Sequence, residues 1–220
     1  MSMLNHSVVN IETFVEPTFG ENAYVVDTGE RGVCWIVDPG LPPSAREVSV
    51  HVSRRRLKPD AIVLTHAHAD HIAGVPEILG EFPTLPVYLA QAERPLLSNP
   101  QANLSMLGGI PIRFSPPDVR DLEPPGPLRL GETSWDVADV SGHSPGGRSL
   151  YCREAGVVLV GDALFEGSIG RTDFPGCHHE RLLRNIRTNL FSLPEESVVY
   201  SGHGPPTTIG REKRSNPFLL

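Results

Sequence analysis

Short apolar runs closed by Gly, Pro or Asp recur along the chain, at residues 8–15, 23–26, 33–37, 61–64, 87–89, 133–140, 149–152, 157–160 and 197–200. Alternating or continuous runs bounded by turn residues predict strands. Between them the pattern predicts helices at 44–57, 72–82, 90–97 and 179–191, the first opening on Pro42-Pro43-Ser44 and the last stopping ahead of Leu193-Pro194. Residues 115–127, dense in proline, read as an irregular connector between two halves. Two blocks of strands, each followed by helices, fit an α/β fold of four layers: an αββα sandwich of two mixed β-sheets with outer helices, in place of regular βαβ winding. No internal repeat interrupts this pattern, and a single domain over residues 1–220 is expected.

Composition narrows the class. A chain of 220 residues with 39% hydrophobic and 20% charged side chains can bury a sizeable core, which excludes disorder and disulfide-stapled miniproteins. Gly (21) and Pro (22) make up about a fifth of the chain, which favours many turns and short elements over a helical bundle. The cysteines Cys34, Cys152 and Cys177 are odd in number and form no Cys-x-x-Cys pair, so a reducing compartment is expected. A net charge of −7 argues against nucleic acid or an anionic membrane as partner. The N-terminus shows no cationic and apolar export signal, and no apolar run approaches the roughly 18 residues of a membrane span. A cytoplasmic protein is the expectation, with the oligomeric state left open.

The nine histidines change the picture most. The strand ending in Leu64-Thr65 runs into His66-Ala67-His68-Ala69-Asp70-His71. In an extended segment alternation sends His66 and His68 to one side, where both imidazoles can meet one cation. A turn into the following helix redirects Asp70 and His71 toward a second cation, an oxygen and nitrogen pair suited to zinc, iron or manganese. Three more strand ends carry one ligand type each on a glycine-flanked turn: Gly142-His143, Gly161-Asp162 and Gly202-His203. Asp38-Pro39-Gly40 reads as turn chemistry supporting the site. Cys177, His178 and His179 open a helix outside the ligand turns and read as structural, and Arg54-Arg55-Arg56 as a solvated helix end.

Thr65-His66-x-His68-x-Asp70-His71, Gly142-His143-x-Pro145-Gly146, Gly161-Asp162-x-Leu164-Phe165 and Gly202-His203-Gly204-Pro205 together resemble the metallo-β-lactamase-fold hydrolases over nearly the whole chain. Residues 167–175 and the tail from Gly202 are similar to the small, single-domain, glyoxalase II-like (hydroxyacylglutathione hydrolase-like) branch, without the C-terminal helical domain of full-length glyoxalase II. The resemblance implies that His66, His68 and His143 bind one divalent metal, that Asp70, His71 and His203 bind another, and that Asp162 bridges them. Zinc is the first expectation, iron or manganese the alternatives. Two cations about 3.5–4 Å apart lower the pKa of a shared water from about 15.7 toward 7, so a bridging hydroxide can serve as nucleophile. Asp70 would both ligate a metal and orient that hydroxide.

The substrate implied is a small acyl thioester such as S-D-lactoylglutathione. A thiolate, from a thiol of pKa about 8.5, departs without a dedicated general acid, and no motif supplies one. The branch's Lys/Arg-x-Tyr contact to glutathione stands here as Arg171-Thr172-Asp173, so Arg171 is either a substrate-binding residue or the salt-bridge partner of Asp173. The rival in the same superfamily is a persulfide dioxygenase holding a single iron through His66, His143 and Asp162, the two-histidine, one-carboxylate set suited to oxygen. Lactone and phosphodiester hydrolases share the two-metal apparatus, and a β-lactamase comes last for want of an export signal. A protein using metal only for stability would be expected to lack a ligand, and all seven are present.

Overall fold

The computed structural model describes residues 3–6, 8–29 and 31–220; residues 1, 2 and 7, part of the stretch read above for an export signal, lie outside the described residues. Seven strands form the first sheet in chain order: β1 (Met3–His6), β2 (Val9–Val15), β3 (Asn22–Asp27), β4 (Val33–Val37), β5 (Lys58–Val63), β6 (Val87–Leu89) and β7 (Val119–Asp121). β1 to β4 pair antiparallel and β4 to β7 parallel. The switch falls where crossovers through helices begin: α1 (Pro42–Arg55) joins β4 to β5, and α2 (Ala69–Ile72) with α3 (Val75–Glu81) joins β5 to β6.

The second sheet holds β8 (Pro127–Leu130), β9 (Thr133–Asp139), β10 (Arg148–Cys152), β11 (Val157–Gly161), β14 (Val198–Ser201) and β15 (Thr207–Thr208), in the order β15-β14-β11-β10-β9-β8. β11 and β14 are its parallel pair; the segment between them carries a small hairpin, β12 (Leu164–Phe165) and β13 (Ser168–Ile169), and helix α4 (His179–Asn185). Helix α5 (Ile209–Ser215) follows β15.

Alternation along the strands makes three buried layers of side chains, and hence four layers of structure. Val25, Ile36 and Ile62 face Ala45, Val48 and Val52 of α1. Their neighbours Val26, Trp35 and Ala61 point the other way, against Trp135, Leu150 and Leu159 of the second sheet. Trp35 and Trp135 meet there with ring centroids 5.5 Å apart. On the far side Val158, Val160 and Val199 pack on Leu182, Ile186 and Ile209. Removing either buried tryptophan is expected to cost about 3–5 kcal/mol. The αββα expectation holds.

The differences from the pattern have physical causes. The connector at 115–127 contains β7 and opens into β8, because three- and four-residue edge strands bury little and tolerate proline at their start. β1, β12, β13 and β15 are short in the same way and were not expected. Residues 91–98 form a 3-10 helix instead of the expected α-helix, since Pro95 inside it lacks the N–H an α-helix needs. The helix expected at 72–82 starts at Val75 with Pro76 in its first turn, where a missing N–H costs nothing. The helix at 179–191 is α-helical to Asn185 and π-helical over Ile186–Leu190. Helix α5, seven residues long, is not predicted by the apolar pattern, although Thr208 caps it by accepting from Arg211 N at 3.2 Å. No helix among the described residues is long and apolar enough to cross a membrane.

Candidate metal centre

The expected ligands all follow the C-terminal ends of strands. His66, His68, Asp70 and His71 come after β5, His143 after β9, Asp162 directly after β11 and His203 after β14. His68 lies in extended backbone as the N-cap of α2, and the chain turns into that helix at Ala69, which swings Asp70 and His71 around. The donor atoms of His66, His68 and His143 lie within 4.8 Å of one another, as do those of Asp70, His71 and His203. Asp162 sits between the two groups, with Oδ1 3.4 Å from His71 Nε2 and Oδ2 3.5 Å from both His143 Nε2 and His203 Nε2. All seven expected residues therefore converge. The Arg171 side chain does not join them: it is 60% exposed and paired with Asp173 at 2.6 Å.

Each imidazole but one is anchored through Nδ1, which aims Nε2 into the cluster. His71 Nδ1 donates to Asp38 Oδ2 at 3.0 Å, His143 Nδ1 to the Arg171 carbonyl at 2.9 Å, and His203 Nδ1 to the Phe19 carbonyl at 3.2 Å. Thr65 Oγ1 gives its proton to Asp38 Oδ2 at 2.6 Å and so accepts from His66 Nδ1 at 3.1 Å. Partners of this kind select the tautomer a metal ligand needs. His68 is the exception, turning Nδ1 to within 2.9 Å of His143 Nε2.

Residues absent from the sequence reading hold these loops. Glu93, fully buried, accepts from Ala67 N at 3.0 Å and from Gly146 N at 2.6 Å, clipping the His66–His68 segment to the His143 turn. Asn22 Nδ2 donates to the carbonyls of Ser201 and Gly204, and Tyr24 OH to that of Ser201, so β3 of the first sheet grips the His203 turn of the second. Asp38, read above as supporting turn chemistry, does so directly: both oxygens are taken up by Thr65 and His71. Its Asp-Pro-Gly setting was a legible signal; for Glu93 there was none. Cys177 Sγ donates to the His143 carbonyl at 2.7 Å, and burial pushes its thiol pKa up, so it supports that turn as an intact thiol. A side chain at Gly202 would collide with Asp162 and His71, which explains glycine at that ligand turn.

Burial and the neighbouring imidazoles of His71, His68 and His143 hold His66 well below the ordinary imidazole pKa; burial and His143 bring His68 down to about 3. In the other group burial opposes a charge on His71, yet Asp162 and Asp70 hold its pKa well above the ordinary value. Burial likewise opposes the charge on His203, and its contact with Asp70 more than offsets this. Burial would raise Asp70 and Asp162, but His71 and the other imidazoles keep both carboxylates ionised.

These residues fit divalent cations. His66 Nε2 is buried without a hydrogen-bond partner in the protein, an arrangement that costs about 1–3 kcal/mol unless something binds there, and His71 Nε2 and Asp162 Oδ1, 3.4 Å apart, lack a well-aligned one. The nitrogen and carboxylate donors suit zinc, iron or manganese alike.

A model of the Metallo-beta-lactamase superfamily matches residues 17–203. The chain is 40% identical to the "Probable metallo-hydrolase YqgX" of Bacillus subtilis, over 90% of this chain and 92% of that one. It is 32% identical to the "Hydroxyacylglutathione hydrolase GloC" of Haemophilus influenzae, over 96% of this chain and 98% of that one. Among solved structures, the BLEG-1 B3 metallo-beta-lactamase is similar with a TM-score of 0.89 and 40% identity, covering 96% of this chain and 99% of that one. TTHA1623 in a di-iron-bound form is similar with a TM-score of 0.83 and 38% identity, covering 94% and 100%.

Proposed function

The chain belongs to the metallo-beta-lactamase superfamily of metal-dependent hydrolases, and from that premise we propose that it hydrolyses acyl thioesters with two divalent cations. The observation that carries this reading is Asp162, placed between two complete ligand groups and within 3.5 Å of an imidazole of each. His66, His68 and His143 would hold one cation, Asp70, His71 and His203 the other, and Asp162 both. When bound, such a pair supplies a hydroxide at neutral pH and a Lewis acid for the acyl oxygen.

The chain's own residues do the rest. Asp70, kept ionised by His71 and His203 and with its side chain 23% exposed, faces the site's open side and orients the nucleophile. Asp38 and the Phe19 and Arg171 carbonyls fix the rings of His71, His203 and His143. The leaving thiolate, of pKa about 8.5 as a free thiol, needs no proton from the protein. The relative named as a hydroxyacylglutathione hydrolase supports the thioester class, with S-D-lactoylglutathione the reference substrate, and the di-iron-bound neighbour supports two cations. We take zinc as the first metal, then iron or manganese. Three free cysteines support a reducing, cytoplasmic setting, and the net charge of −7 supports a small-molecule substrate over nucleic acid or membrane.

Elemental mass spectrometry of the purified chain, run beside thioester, β-lactam and lactone hydrolysis, tests the reading. Near two metals per chain with thioester turnover is expected. One iron with oxygen uptake on glutathione persulfide would replace it by a dioxygenase, and faster turnover of a β-lactam or lactone would replace the substrate class.

A further inference from the structure

The two ligand groups are each flanked by an aromatic ring that is not itself a ligand. Phe174 sets its edge toward His68 with centroids 6.5 Å apart, and Phe165, on β12, toward His203 at 6.1 Å. Both are half-buried, and neither belongs to the three packed cores. Phe19, 56% exposed, stands on the turn whose carbonyl receives His203 Nδ1. Such rings beside a polar centre offer apolar contact area to whatever the centre binds.

The cations beside these rings are already matched. Arg171 stacks over Phe174 with its guanidinium carbon 4.0 Å from the ring centroid and binds both oxygens of Asp173, at 2.7 and 2.6 Å. Arg211 pairs with Glu166, the residue after Phe165. A glutathione carrier brings two carboxylates, and here each would have to displace an acid already seated on an arginine.

We propose that the thiol half of the substrate is apolar and uncharged, aromatic or branched aliphatic, in preference to glutathione. This rests on the thioesterase reading above. Phe165 and Phe174 would hold that group while the acyl carbon lies at the metal centre, and Asp173 would act against anionic carriers.

The test compares the D-lactoyl thioesters of glutathione and of phenylmethanethiol on the zinc-loaded chain, following thiol release. The acyl group is the same in both, so the ratio of kcat/KM reports on the carrier alone. The aromatic carrier is expected to be preferred by about tenfold or more, mainly through KM. Phe174→Ala and Phe165→Ala should each lower the aromatic ester by about three- to tenfold and shrink that ratio, with Phe→Leu retaining more of it. Asp173→Asn, at an exposed position, should raise kcat/KM for the glutathione ester by about threefold or more by freeing Arg171. A glutathione ester hydrolysed as well as the aromatic one, or Phe variants that lower both esters equally, overturns the carrier assignment and leaves the thioesterase reading standing. A chain with two metals that hydrolyses neither ester overturns the thioesterase reading and the carrier assignment together.

Discussion

The two halves of the proposed metal centre are built on opposite principles. His66, His68 and His143 make an all-nitrogen group, buried throughout, whose first two members are held neutral by burial and by one another. Asp70, His71 and His203 mix oxygen with nitrogen, open to solvent at both ends, and here carboxylates hold the imidazoles toward their charged form. Their supports differ as well. Glu93 clips the first group's two loops together, Asn22 and Tyr24 tie the second group's His203 turn to β3 of the first sheet, and Asp38 serves both groups, taking His71 directly and His66 through Thr65. His66 and His68 therefore meet a cation without a proton to lose, whereas His71 and His203 tend to hold protons that a cation must displace. Asp162 is what the halves share, and the largest effect belongs to it.

Asp162→Ala is expected to lower kcat/KM by about 10³-fold or more, because removing it takes a charge and a donor from both halves at once. Metal content should fall below two per chain while circular dichroism stays native. Activity within tenfold of the parent would mean that the halves work independently.

Separating the halves comes next. Glu93→Ala should weaken the first cation by about 10–100-fold and spare the second, and Asn22→Ala, which releases the His203 turn, should do the reverse, since groups that orient ligands typically carry effects of that size. Titration of each metal-free variant with zinc resolves the two. If both variants weaken the same cation, the clips do not divide as the hydrogen bonds do. Glu93→Gln, which keeps one acceptor, should recover part of the loss.

The proposed ligands stand out in the sequence and their supports largely do not, for a reason that lies in distance along the chain. Metal chemistry demands particular side chains, and here local backbone places them: four in one hexapeptide, three on glycine-flanked turns. Support requires only an acceptor at the right spot, and Glu93 reaches across 26 residues to Ala67 and 53 to Gly146, while Asn22 reaches 179 to Ser201. No local pattern encodes such a meeting. Asp38 falls between, because Asp-Pro-Gly at a strand end announces a turn even when the partner is 33 residues away. In the fold the same divide separates central strands from edges. Trp35 and Ile36 each bury a face, so β4 writes itself into the pattern; β7 buries little and hides in a proline-rich stretch.

Proton release sharpens the contrast between the halves. In the metal-free chain His71 and His203 titrate above the ordinary imidazole value, so at a given pH they hold protons to a greater extent than a free imidazole, and the second cation must expel them. As pH falls through those raised values, the affinity of the second half should drop, by up to about tenfold per pH unit for each proton displaced. His66 lies well below the ordinary value and His68 at about 3, so neither holds a proton over that range, and these two ligands should add little pH dependence to the first half. Calorimetric titration in buffers of different ionisation enthalpy reads the protons released per cation. Equal release by both cations would contradict the assignment of charge.

The smallest effect expected concerns Cys177. Its thiol supports the first half from outside, through one hydrogen bond to the His143 carbonyl, and burial keeps it protonated. A weak S–H donor lies at or below the low end of the roughly 0.5–1.5 kcal/mol typical of a net hydrogen bond. Cys177→Ala should therefore reduce the first cation's affinity by only about two- to threefold and leave the second alone. Cys177→Ser, which restores a donor, should bring the affinity back, and kcat should stay within about twofold in both variants because no sulfur takes part in bond making. A nucleophilic or ligating cysteine would behave differently, since serine would then be as damaging as alanine and the loss would exceed a hundredfold. The ratio of the serine variant to the alanine variant thus decides whether Cys177 belongs to the support of the nitrogen half or to the chemistry itself.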